Sequence, residues 1–185
     1  IRYRLVGSEM CIRDRNYGMT VTILRFFNVF GPDGDQTRPN PPLLNFAYRE
    51  LSHDRAPVLS GDGEQVRDFI WVKDVVRMLE LCMRKQPNDV FNVCSGVTVS
   101  VNQMSQWVAE ALGKEHIGLD HKPASELWDR YPEMFKGSHP LDKGLVAKET
   151  TRYSKGSFAK AERILGWRPH TDMESLVKKV TLEIE

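Results

Sequence analysis

The stretch Gly61-Asp62-Gly63-Glu64-Gln65-Val66-Arg67-Asp68-Phe69-Ile70-Trp71-Val72-Lys73-Asp74 constrains this chain more than any other. Glycine tolerates positive φ, so Gly61-Asp62-Gly63 reads as a tight turn. An alternating run follows, with Val66, Asp68 and Ile70 on one face and Arg67, Phe69 and Trp71 on the other. A helical pattern begins near Asp74, whose carboxylate suits the positive end of a helix dipole. Arg67 is therefore set on a short strand between a rigid turn and a helix start. A guanidinium held this way is suited to bidentate capture of a phosphate or carboxylate. An equally simple use is a surface ion pair with Asp68 or another nearby acid.

The flanking segments alternate between strand and helix patterns, which predicts an α/β fold. Thr20 to Phe27 is rich in β-branched and aromatic residues and reads as a buried strand. Asn28 follows at its carboxyl end, where ligands bind in open parallel sheets; a turn-forming asparagine is the alternative. Residues 31–42 form a loop dense in Pro, Gly and Asp. Leu43, Leu44, Ala47 and Leu51 mark a helix, and Pro57-Val58-Leu59 a short strand. Val75, Val76, Leu79, Cys82 and Met83 mark the apolar face of the helix after Asp74. Asp89 to Cys94 reads as a buried strand. Ser100 with Gln103 reads as a capping box opening a helix with the stripe Val101, Met104, Val108 and Leu112, closed by Gly113; Trp107 reads as core. Ile117 to Lys122 suggests a last short strand, and Ser157 to Leu165 a helix closed by Gly166. Trp167 is expected to pack on the core. Thr171 with Glu174 suggests a second capping box, before the stripe Leu176, Val180 and Ile184. For Pro123 to Thr151, a lid and a surface elaboration both stay open.

Four segments together carry a resemblance. They are Leu24-Arg25-Phe26-Phe27-Asn28-Val29-Phe30-Gly31-Pro32, the Gly61 to Asp74 stretch, Phe91-Asn92-Val93-Cys94-Ser95-Gly96, and Leu165-Gly166-Trp167-Arg168-Pro169. In this order they resemble the C-terminal half of the NAD-dependent epimerase/dehydratase family, the extended short-chain dehydrogenases that act on nucleotide sugars. The resemblance implies the last strands of a Rossmann-type parallel sheet plus a small mixed α/β substrate-binding domain. It implies that Asn28 and Arg67 hold the diphosphate of a nucleotide-diphosphate sugar, and that Val58 and Leu59 meet the nucleotide base with Leu44 nearby. It places Phe26 and Val29 on the nicotinamide side of the pocket and Arg152 as a second phosphate-binding arginine. The implied cofactor is NAD, with NADP left open, and the implied assembly of the parent is a homodimer.

Family enzymes pass a hydride to NAD while a tyrosine, with a lysine four residues on, takes the hydroxyl proton. Tyr3, Tyr17, Tyr48, Tyr131 and Tyr153 all lack that lysine, and Gly61-Asp62-Gly63 precedes a strand rather than a helix. The expectation is a C-terminal substrate-binding portion over residues 16–185, with the NAD-binding portion and the dimer helices upstream. Residues 1–15 show no strand or helix period and resemble a translated sequencing adapter. An Arg-rich targeting peptide is the rival, and Glu9 and Asp14 argue against it. Setting those residues aside turns the net charge from +1 to −1, because they hold four basic and two acidic side chains. A near-neutral chain with scattered charges excludes a nucleic-acid stripe, and no apolar run reaches membrane-span length. Cys11, Cys82 and Cys94 form no CxxC pair or zinc spacing, which fits reduced thiols in the cytoplasm. Other readings are a non-catalytic scaffold or RNA-binding relative that kept the fold, and a free-standing sugar-nucleotide binding module.

Overall fold

The computed structural model describes residues 18, 20–37, 41–123, 126, 132–136, 140, 142 and 152–184. Residues 1–15 and most of the Pro123 to Thr151 segment lie outside the described residues. Strand β1 (Ile23–Phe26) pairs in parallel with β5 (Val90–Val93). The chain then crosses at Phe27 into β2 (Asn28–Phe30), which pairs in parallel with β4 (Val66–Trp71), and β4 pairs antiparallel with β6 (Thr98–Ser100). A third, two-stranded sheet joins β3 (Val58–Ser60) to β7 (Asp120–Lys122) in parallel. The helices are α1 (Leu43–Ser52), α2 (Val72–Lys85), α3 (Val101–Leu112), α4 (Ala159–Leu165) and α5 (Met173–Leu182). The architecture is α/β with parallel strand pairs, as the alternation of patterns predicts.

Strand β4 divides the interior. Phe69 and Trp71 point into a core with α1, α3 and α5, while Ile70 points into a second core with Met78, Phe91, Val93 and Trp167. The two-residue alternation of one strand thus serves both cores. The turn before β4 needs its glycines. Gly63 has φ of +71°, and a Cβ there would come within 1.9 Å of the Asn102 side chain. Ser100 caps α3, its hydroxyl accepting from the Gln103 N–H at 3.0 Å.

Several expectations need correction. The first strand is shorter and less buried than Thr20 to Phe27, because β1 lies in a two-stranded sheet and Phe26 is half exposed. On α2 the buried positions are Asp74, Val75, Met78 and Cys82, whereas Val76, Leu79 and Met83 are exposed. Strand β4 runs into α2 without a loop, and that junction sets the rotation of the helix. The last helix is capped one residue later than expected, by Asp172, which accepts from the Ser175 N–H at 3.3 Å. Its buried stripe includes Met173 and Val177 beside Leu176 and Val180.

Two buried carboxylates tie the layers together. Asp68, fully buried on β4, accepts from the Ser95 N–H (2.8 Å) and hydroxyl (2.9 Å), the Gly96 N–H (2.9 Å) and the Gly156 N–H (3.0 Å). Asp74, fully buried on α2, pairs with Arg77 and accepts from the His170 backbone N–H at 2.9 Å, with the His170 ring Nδ1 at 2.7 Å. Trp167 donates to the Asp74 carbonyl at 3.1 Å. Asp74 is therefore an anchor for the C-terminal segment as well as a charge near a helix start.

Candidate functional site

A cavity of about 660 Å³ opens between β2, the start of α1, β3 and the start of β4. Asn28, Val29, Leu44, Val58, Leu59 and Arg67 all line it. Six of the eight residues singled out from the sequence thus converge, although they span four elements. Phe26 and Arg152 are not among the lining residues. Phe26 ends β1 half exposed, while its neighbour Phe27 packs toward the second core. Arg152 is highly exposed and reaches Asp62 of the Gly-Asp-Gly turn at 3.6 Å, because Tyr153 bridges to Val66 and brings this segment alongside the start of β4. The structure thus places Arg152 beside the turn and not on the cavity wall.

The ion pair between Arg67 and Asp68 does not form. Strand alternation sends the Asp68 carboxylate to the opposite face, where four donors already meet it. The Arg67 guanidinium donates to the Val66 carbonyl at 2.9 Å, and among the described residues no carboxylate pairs with it. Most of its planar donor set is left for a ligand. Asn28 is anchored rather than free: its Nδ2 donates to the Asp68 carbonyl at 2.8 Å, across the β2–β4 pair. That bond fixes the side chain at the cavity wall.

Charge on the lining is uneven. Arg49, Arg67 and Lys122 face one carboxylate, Glu50. Glu50 accepts from Arg55 Nε at 2.8 Å and from Arg49 Nε at 3.0 Å. The Arg55 bond, with help from Arg49 and against the cost of burial, holds the Glu50 carboxyl below its ordinary range. Arg49 also donates to the Gln36 carbonyl at 3.0 Å. Apolar surface from Leu44, Phe46, Val58 and Leu59 completes the wall. The lining offers room for a flat ring beside a positive region. Among the described residues, the lining contains no tyrosine, histidine or cysteine. The described residues contain no cluster of three metal-ligating side chains.

Sequence reasoning missed Arg49, Glu50, Gln65 and Lys122 as lining residues. The polar side of α1 gave a weak signal for the first two. Lys122 becomes visible only once β7 is known to pair with β3, with Ser60 opposite Lys122.

Comparison with known proteins settles the family. A family model described as GDP-mannose 4,6 dehydratase matches residues 7–180, starting inside the stretch set aside above. The chain belongs to the NAD-dependent epimerase/dehydratase family. A putative UDP-glucose 4-epimerase of Methanocaldococcus jannaschii is 26% identical over 178 residues, covering 96% of this chain and 50% of that protein. Human dTDP-D-glucose 4,6-dehydratase is 28% identical over 166 residues, covering 88% and 41%. Among solved structures, UDP-glucose 4-epimerase from Thermotoga maritima, determined with UDP-glucose, aligns with a TM-score of 0.73 at 30% identity, covering 96% of this chain and 50% of that one. The chain spans about half the length, or less, of the curated relatives it matches. The fold is therefore that of a family epimerase over half its length.

Proposed function

We propose that this chain supplies the nucleotide-diphosphate-sugar-binding side of an NAD-dependent epimerase or dehydratase, and that a longer parent protein supplies the rest. The observation that carries the reading is the convergence of Arg67 and Asn28 on one cavity with an apolar wall. Arg67 grips the diphosphate, and Asn28 contacts it from a side chain already fixed to β4. Leu44, Val58 and Leu59 receive the base. Strand β3 has β7 as its partner among the described residues, so its other edge can offer backbone groups for base recognition.

When bound in the parent, NAD would supply a hydride acceptor for sugar oxidation. Its cradle is assigned by this reading to the parent's other portion. Gly61-Asp62-Gly63 leads into β4 rather than a helix, and α2 and α3 start at Trp71 and Ser100 without a glycine-rich turn. Val29, which lines the same cavity, is the residue this reading sets on the nicotinamide side. The reading includes a homodimeric, cytoplasmic parent whose proton-transfer tyrosine lies in its other portion. Among the described residues no helix is long and apolar enough to cross a membrane.

Calorimetric titration of UDP-glucose, dTDP-glucose and GDP-mannose tests the reading. At least one should bind the 185-residue chain. Arg67→Ala should weaken that ligand about tenfold or more, since a charged hydrogen bond contributes about 1.5–3 kcal/mol. Unchanged affinity in the variant counts against the assignment. NAD should show no micromolar binding to this chain, and such binding would overturn the division of labour.

A further inference from the structure

We propose that Lys122 is a second phosphate-binding cation of this cavity, acting from a different strand than Arg67 and making the site select diphosphates over monophosphates; this rests on the nucleotide-sugar reading above. The backbone of Lys122 is fixed. Strand β7 pairs with β3 in a register that sets Lys122 opposite Ser60, and the Gly61 N–H donates to the Lys122 carbonyl at 2.8 Å. Strand alternation then separates neighbours. His121 meets the Asn102 side chain at 2.9 Å and lines a different hollow, while Lys122 lines the cavity that Arg67 lines. Gln65 Nε2 donates to the Ser60 carbonyl at 3.1 Å, tying the start of β4 to the end of β3. Strand β7, which carries Lys122, is thus tied through β3 and the Gly61 turn to the start of β4, which carries Arg67.

Charge balance gives the ligand class. Of the three lining cations, Arg49 is committed to Glu50 and to the Gln36 carbonyl. Glu50 is the one carboxylate among the described lining residues, and both of its oxygens are occupied, by Arg49 and by Arg55. Lys122, half-buried, has no ion-pair partner among the described residues, and neither has Arg67. Among the described residues two positive charges of the lining remain uncompensated, carried by two strands. A diphosphate diester carries two negative charges on adjacent phosphorus centres, whereas a monophosphate offers one centre. An ammonium on a flexible stem suits the second phosphate as a point charge, while the guanidinium grips the first in a plane.

The test uses the 185-residue chain. UDP, dTDP and GDP are titrated with their monophosphates into the wild type, Lys122→Met and Lys122→Arg, with thermal melts to verify folding. Methionine keeps most of the apolar stem and removes the charge. Lys122→Met should lose about tenfold in affinity for the diphosphate that binds, change little for its monophosphate, and so narrow the ratio between them. Lys122→Arg should keep most of the discrimination. A folded Lys122→Met that binds the diphosphate as the wild type does, or that loses diphosphate and monophosphate equally, overturns the proposal alone. A wild type that binds none of these nucleotides overturns the functional reading and this proposal with it.

Discussion

Asp68 and Arg67 are adjacent in sequence and have opposite tasks. Asp68 is enclosed by four donors from two segments, and Arg67 is left open to a cavity. Replacing Asp68 with Asn puts amide hydrogens either against the N–H groups of both Gly96 and Gly156 or against the N–H of Ser95. Asp68→Asn should therefore cost about 3 kcal/mol or more of stability, judged from charged hydrogen bonds of about 1.5–3 kcal/mol each that do not simply add. Urea unfolding reads this directly, and a loss under 1 kcal/mol (about the value of one ordinary hydrogen bond) would contradict it. Cys94 lies close by, completely buried. Burial, and then the charge of Asp68, push its thiol up to about 12, against a smaller opposing effect of the Gly96 N–H. The neutral thiol is favoured by folding. Its contribution is complete below the unfolded thiol pKa, near 8.5, and is lost as pH rises through about 12. At pH 8 Cys94 should resist an aromatic disulfide reagent in the native state and react fully in denaturant. That Arg67 faces away from Asp68 is legible in the sequence from strand alternation. The role of Asp68 is not, because its donors arrive from residues 95, 96 and 156, and no local pattern announces them.

Among the elements, α2 separates what periodicity reveals from what it hides. Its apolar residues occupy two stripes, Val75–Met78–Cys82 and Val76–Leu79–Met83, and either fits a helical period. The junction with β4 decides between them, and it buries the stripe containing Met78. Met78→Ala should cost about 2–5 kcal/mol, as core truncations do. Leu79→Ala should change stability by about 0.5 kcal/mol or less, as exposed substitutions do. Thermal melts of the two variants should therefore separate clearly, and equal destabilisation would restore the simpler amphipathic picture. Elsewhere the element order is legible because caps and turns coincide with changes of period. Ser100 and Gly113 bracket α3, and Gly166 ends α4. The shift of the final cap from Thr171 to Asp172 shows the limit: two good capping residues stand side by side, and local pattern does not distinguish them.

At the scale of the molecule, the site depends on the way the sheets meet. The chain changes sheets between Phe26 and Asn28, so one end of β1 and the start of β2 come together where Asn28 reaches across to β4. The family fold explains this placement, and the four motifs in order reveal it from sequence. The far wall of the cavity is less legible, since it depends on the β3–β7 pairing between residues about sixty apart. The same architecture fixes where the chain tolerates change in length. The passage from Trp71 to Val72 holds no spare residue, with a ladder strand on one side and a packed helix on the other. A single inserted residue there has two outlets. It turns α2 by about 100°, exchanging its stripes, or it slips β4 and carries Arg67 to the far face. The first outcome dismantles the core around Met78, and the second dismantles both interiors at once. Insertions in the segment around residues 31–37 meet no such ladder, so length variation among homologous chains should concentrate there and vanish at the Trp71–Val72 junction.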